Sequence, residues 1–196
     1  MKTISRIWLR ARRSLRNLAR DNSGIAATEF AVIVPIMLVM FFGTVEFSSG
    51  VAVDRKVTLI ARTLSDLASQ STSVADSDMT NFFAASFAIL TPYSSTPTQA
   101  TLSELYVDPS SLVARVQWSK GSAPRGQSSH VTIPSQLAVG GTYLLFSEVS
   151  YLYTPTIGYV MAKGGVTLSD VSYTRPRQST CVFYNPTSAT TTCPTS

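Results

Sequence analysis

Histidine occurs once in this 196-residue chain, at His130, and cysteine twice, at Cys181 and Cys193. One imidazole and two thiols are too few for a zinc site. The chain also lacks a Walker A loop, a dinucleotide glycine pattern, a Gly-x-Ser-x-Gly elbow and a His-Glu-x-x-His motif. His130 sits beside a Ser/Gly loop and reads as an exposed loop residue. No close pair of acids is visible from spacing: Asp108 lies in a turn and Glu148 on a strand. No cofactor is expected, and the chain does not read as an enzyme.

Charge is also scarce, at 14% of residues, and it is unevenly placed. Lys2, Arg6, Arg10, Arg12, Arg13, Arg16 and Arg20 against Asp21 put +6 in residues 1–24. The net +5 therefore leaves −1 for everything after them. The basic pI belongs to a short leader, and the body has too few cations for a nucleic-acid partner.

In contrast, one stretch has no charge at all. Phe30 to Val45 reads Phe-Ala-Val-Ile-Val-Pro-Ile-Met-Leu-Val-Met-Phe-Phe-Gly-Thr-Val. With Ile25 to Thr28 it spans about 20 residues, which at ~1.5 Å per residue matches the ~30 Å core of a bilayer. The basic residues before it should stay cytoplasmic, which puts the chain from about Glu46 onward outside the cytoplasm. A single acid, Glu29, stands in the first turns of this run, where a charge costs roughly 2.5–3.5 kcal/mol on insertion scales. Pro35 removes one backbone hydrogen bond, to the carbonyl of Ala31, and should kink the helix. Glu46 is placed near the outer interface, where it can snorkel.

In the leader, Ile4, Trp8, Ala11, Leu15 and Leu18 recur at helical spacing opposite the arginines. Either a basic amphipathic helix or an unstructured basic leader fits, and both would be held at an anionic leaflet. Asn22-Ser23-Gly24 should break any such helix and leave an extended glycine peptide.

Gly24, four small or apolar residues, Glu29 and Phe30, followed by the apolar run, resemble the prepilin-peptidase site of type IV-like pilins. With Pro35 and Glu46-Phe47 the block is similar to the TadE family of tight-adherence (Flp-type) pilus pseudopilins. Tyr151-Leu-Tyr-Thr-Pro155 and Arg175-Pro176-Arg177 add to it. The resemblance implies cleavage between Gly24 and Ile25 by a prepilin peptidase. It implies that Glu29, beside Phe30, pairs with the freed N-terminus of a neighbouring subunit during assembly. The implied partners are that peptidase, other pilins or pseudopilins, an inner-membrane assembly platform and the lipid bilayer. Two other readings stay open: an uncleaved single-span anchor acting as adhesin or scaffold, and a periplasmic enzyme. A signal-peptidase cut after Gly50-Val51-Ala52 would instead release the body.

Beyond the membrane, Val53, Val57, Ile60, Leu64 and Leu67 form an apolar stripe for a sheet or for neighbouring helices. Arg62 and Asp66 are spaced as a helical ion pair. A second helix over Met79 to Leu90 is expected, capped by Asp76 or Ser77. Period-two patterning then predicts strands at Leu102–Val107, Leu112–Ser119 (with Leu112, Ala114, Val116 and Trp118 on one face), Thr142–Thr154 and Val166–Thr174, with a bulge at Asp170-Val171. The expected fold is α+β and pilin-like: a long N-terminal helix on an antiparallel sheet of about four strands. The expected parts are a leader (1–24), a membrane helix (25–46), an extracytoplasmic domain (47–177) and a Ser/Thr/Pro-rich tail (178–196). In an oxidising compartment Cys181 and Cys193 can pair and close that tail; the alternative is two free thiols.

Overall fold

A computed structural model describes residues 23–155, 165–187 and 192–195. The leader and its amphipathic pattern lie outside the described residues. The chain divides into two compact units, Met1–Val45 and Glu46–Ser196.

The elements are α1 (Ser23–Ser69), β1 (Ser73–Val74), α2 (Asp76–Phe87), β2 (Thr98–Val107), β3 (Ala114–Gly121), β4 (His130–Val131), β5 (Tyr143–Tyr153), β6 (Val166–Thr174) and β7 (Phe183–Tyr184). Short 3-10 turns follow α2 at Ala88–Leu90 and precede β5 at Ser135–Leu137. The fold is α+β. Its main sheet is antiparallel, in the order β4-β3-β2-β5-β6. It has five strands where about four were expected, because part of the loop after β3 turns back and pairs Val131 with Ala114.

In the second unit, the stripe on α1 buries as its spacing requires. Val53, Val57, Ile60, Ala61, Leu64 and Ala68 are fully buried, while Leu67 stays half-buried and Ala68 takes its inward place. They meet Leu102, Leu145, Val149, Tyr151 and Tyr153 of the sheet. Polar groups fix the register of helix on sheet: the Ser147 hydroxyl donates to the Ala61 carbonyl at 2.6 Å, and Ser65 bonds Ser172 and Thr174. Lys56 donates to the carbonyls of Ile89 and Thr91, closing the end of the α2 segment onto α1. The opposite sheet face holds a second core of Leu105, Val107, Val116, Val131, Leu144 and Phe146.

Several local expectations shift. Asp66 bonds Arg177 and Gln70, not Arg62. At α2 neither Asp76 nor Ser77 is the cap: the Asp78 carboxylate accepts from the Ala75 N–H at 2.9 Å, and Asp76 is engaged elsewhere. Residues 103–107 and 114–119 do not pair in one simple register. The register slips between Glu104 and Leu105, so that Glu104 faces Trp118 and Leu105 faces Val116. Gln117 is the extra residue, and it turns Trp118 onto the helix side while Val116 stays on the other core. The expected single face for Val116 and Trp118 is therefore wrong, because a bulge reverses the alternation. Leu112 lies in the preceding turn with φ +56° and is half exposed. Conversely β6 shows no bulge: it pairs with β5 without a break from Val166 to Thr174. Asp170 is tolerated there because β6 is an edge strand reached by water, and its carboxylate accepts the Val171 N–H. Gly121 ends β3 at φ +140°, and a Cβ there would lie 2.1 Å from the Ala100 carbonyl oxygen.

The tail folds into the second unit and is no appendage. Cys181 and Cys193 are bonded. β7 pairs in parallel with β1, and Cys181 and Val182 are fully buried.

Candidate functional site

In the first unit the candidate residues share one exposed helix. Ser23 and Gly24 are already helical, so Asn22-Ser23-Gly24 does not leave an extended glycine. The first turn of a helix makes few internal backbone bonds and frays at little cost. Ile25 and Phe30 are 57% and 70% exposed, and Glu29 is exposed between them. The Thr28 hydroxyl returns to the Ile25 carbonyl at 2.8 Å. α1 continues through Pro35. Its apolar window has a mean hydropathy of 2.3 and none of it is buried. Such a helix is long and apolar enough to cross a membrane, which fits a single-pass anchor.

Residues 24–64 match the model of the TadE-like protein family. Over that stretch α1 is similar to TadE-like proteins. The match begins at Gly24 and ends at the buried Leu64, so the sheet and the tail lie outside it. The further likeness at Tyr151–Pro155 and Arg175–Arg177 is not part of it. The chain matches no curated protein and no solved structure.

In the second unit, the sequence placed no candidate where the structure builds its most unusual polar site. Glu104 is fully buried. One carboxylate oxygen accepts the Val182 N–H at 2.5 Å, and the other accepts the Trp118 indole N–H at 2.9 Å. The same indole N–H lies 2.7 Å from the Val182 carbonyl oxygen. Burial pushes the Glu104 carboxyl up to about 8, against the pull of those two donors. A sequence signal existed: Ala100 and Leu102 alternate inward, and Glu104 is next in that series. Tyr143, on the adjoining strand, is pushed up to about 12, first by burial and then by Tyr106 and Glu104. Its hydroxyl donates to the Pro194 carbonyl at 2.7 Å.

Other acids have partners within the fold. Asp76 accepts from Tyr184 and Asn185 and lies near Lys120; these contacts, Tyr184 first, hold its carboxyl below the usual range. Glu148 takes a two-pronged bond from Arg125 at 2.5 and 2.6 Å, with the guanidinium over Phe146. Glu46 is 4% exposed, which differs from the expected snorkelling acid. Tyr153 adjoins it: its hydroxyl lies 3.5 Å from the Glu46 carbonyl oxygen. His130 is exposed, as expected, but it lies on β4 opposite Arg115 and not in a loop. Among the described residues no group of His, Cys, Asp and Glu could hold a metal ion.

Proposed function

We propose that this protein is a pseudopilin or minor pilin of a tight-adherence pilus. It is made as a precursor, anchored with its N-terminus in the cytoplasm and its folded unit in the periplasm or outside the cell. A prepilin peptidase cuts it between Gly24 and Ile25. It is then a substrate and a building part, not an enzyme, and it serves adhesion through the assembled pilus. The observation that carries this reading is the TadE-like match starting at Gly24, with Glu29 five residues on along an exposed apolar helix.

The chemistry is consistent. Cleavage would create an amine at Ile25, one turn before Glu29. A carboxylate in hydrocarbon gains most when a cation ends its isolation, and an amine from the same chain or a neighbour supplies one at the positive end of the helix. The rival cut after Ala52 has weaker support, because Gly50-Val51-Ala52 lies in mid-helix beside the fully buried Val53.

Sequencing the N-terminus of protein taken from the membrane tests the first step. Ile25 is expected; Met1 in functional protein would overturn the reading. Gly24→Lys should leave the precursor uncut. Glu29→Gln should leave cutting and folding intact and reduce assembled pili by an order of magnitude, measured by shearing and immunoblot.

A further inference from the structure

Glu104 and Trp118 together read the two main-chain groups of one residue. The carboxylate takes the Val182 N–H and the indole reaches the Val182 carbonyl oxygen. Next to this clamp, the strand edge of β1 continues the same kind of contact: the Phe183 N–H bonds the Thr72 carbonyl at 3.1 Å, and the Asn185 N–H bonds the Val74 carbonyl at 2.9 Å. The body therefore holds the Val182 N–H and carbonyl, the Phe183 and Asn185 N–H groups and, through Tyr143, the Pro194 carbonyl of the tail. Of its side chains, Val182 enters the apolar core that the clamp borders, and the Tyr184 ring packs at a tilt against Trp118 with ring centroids 5.6 Å apart.

Two buried polar side chains aimed at a peptide backbone are costly for the core unless that backbone is present. Packing alone does not require them, since an apolar pair would fill the volume. What they add is recognition of an extended strand. The tail also carries its own cross-link. Both cysteines belong to it, so the Cys181–Cys193 bond closes the tail on itself and does not tie it to the body. A single covalent thread, at the exposed Gln178, joins the two.

We propose that Glu104, Trp118 and the β1 edge form a docking site for an extended peptide, filled here by the chain's own residues 181–185 and open to the same segment of a second copy. Tail exchange would then link subunits through their folded units, independently of the N-terminal helix. The proposal does not rest on the pilus reading.

The test uses the full chain in detergent, with a protease site inserted between Gln178 and Ser179. After cutting, the tail is held without a covalent link. A labelled, disulfide-closed peptide of residues 179–196 is added, and its uptake is followed by size exclusion and by Trp118 fluorescence. The cut chain should stay folded by circular dichroism, retain its tail at micromolar concentration and take up the labelled peptide. A Val182→Pro peptide, which lacks the N–H read by Glu104, should compete at least tenfold more weakly. Because that change leaves the body untouched, misfolding of a body variant cannot confuse the result. Glu104→Ala in the cut chain should release the tail. Equal competition by the Val182→Pro peptide, immediate loss of the tail from the folded wild-type body, or unfolding of the body on cutting would each overturn the proposal.

Discussion

Glu104 shows how one residue couples the sheet to a segment 78 positions away. Its folded pKa of about 8 stands above the ordinary carboxylate value of 4.5, so the folded chain keeps a proton that the unfolded chain has released. The stability this provides is complete below about pH 4.5 and is lost as pH rises through about 8. Across that window the slope is ~1.4 kcal/mol per pH unit at most, and it flattens above. Glu104→Gln keeps an acceptor for the Val182 N–H but cannot ionise. Thermal melts from pH 5 to 9 should show the wild type losing stability through this range and the variant running flatter. Equal slopes would mean that Glu104 is not the group that titrates across this range. Glu29 belongs to the same scale but differs in kind: it is exposed on its helix, so the role proposed for it rests on lipid and a partner, whereas Glu104 draws its properties from this fold.

At the scale of elements, α1 was legible over most of its length. An uncharged run and a stripe at steps of four and three need no partner to be recognised, because both follow from the helical period. Leu64 is fully buried in that stripe, so Leu64→Ala should cost about 2–5 kcal/mol, read from chemical denaturation of the detergent-solubilised chain. The turn at Asp108-Pro109-Ser110-Ser111 was equally readable, since Asp108 accepts the N–H groups of Ser110 and Ser111 locally. The strands were legible in place but not in detail. A bulge depends on how two strands meet, and nothing in residues 112–119 alone shows that Gln117 is surplus to the pairing with β2. For the same reason Asp170 resembled a slip in alternation, when an edge position simply leaves it wet.

For the whole molecule, the expected Cys181–Cys193 bond is present, and the largest departure is the place of the segment that carries it. Residues 178–196 looked like a separable tail, yet Cys181 and Val182 within them are fully buried in the core. The closed loop spans a sequence separation of 12 residues, for which chain entropy suggests roughly 3 kcal/mol. Replacing Cys181 and Cys193 by serine should lower the melting temperature and make the tail the first site of proteolysis, mapped by mass spectrometry of limited digests. An unchanged digest pattern would mean that the clamp alone suffices to hold it.

What the amino-acid sequence determined by itself was whatever repeats over short distances: the basic leader, the uncharged run with its lone acid after a glycine, the helical stripe and the period-two strands. These depend on local geometry and on transfer from water, which each segment carries with it. Tertiary structure alone decided that Glu104 and Trp118 would close on Val182, that Gln117 would be the extra residue, and that the last segment would seal the fold. Those outcomes need residues far apart in the chain to share one buried space, and no local pattern encodes which distant backbone will arrive to satisfy a buried polar group.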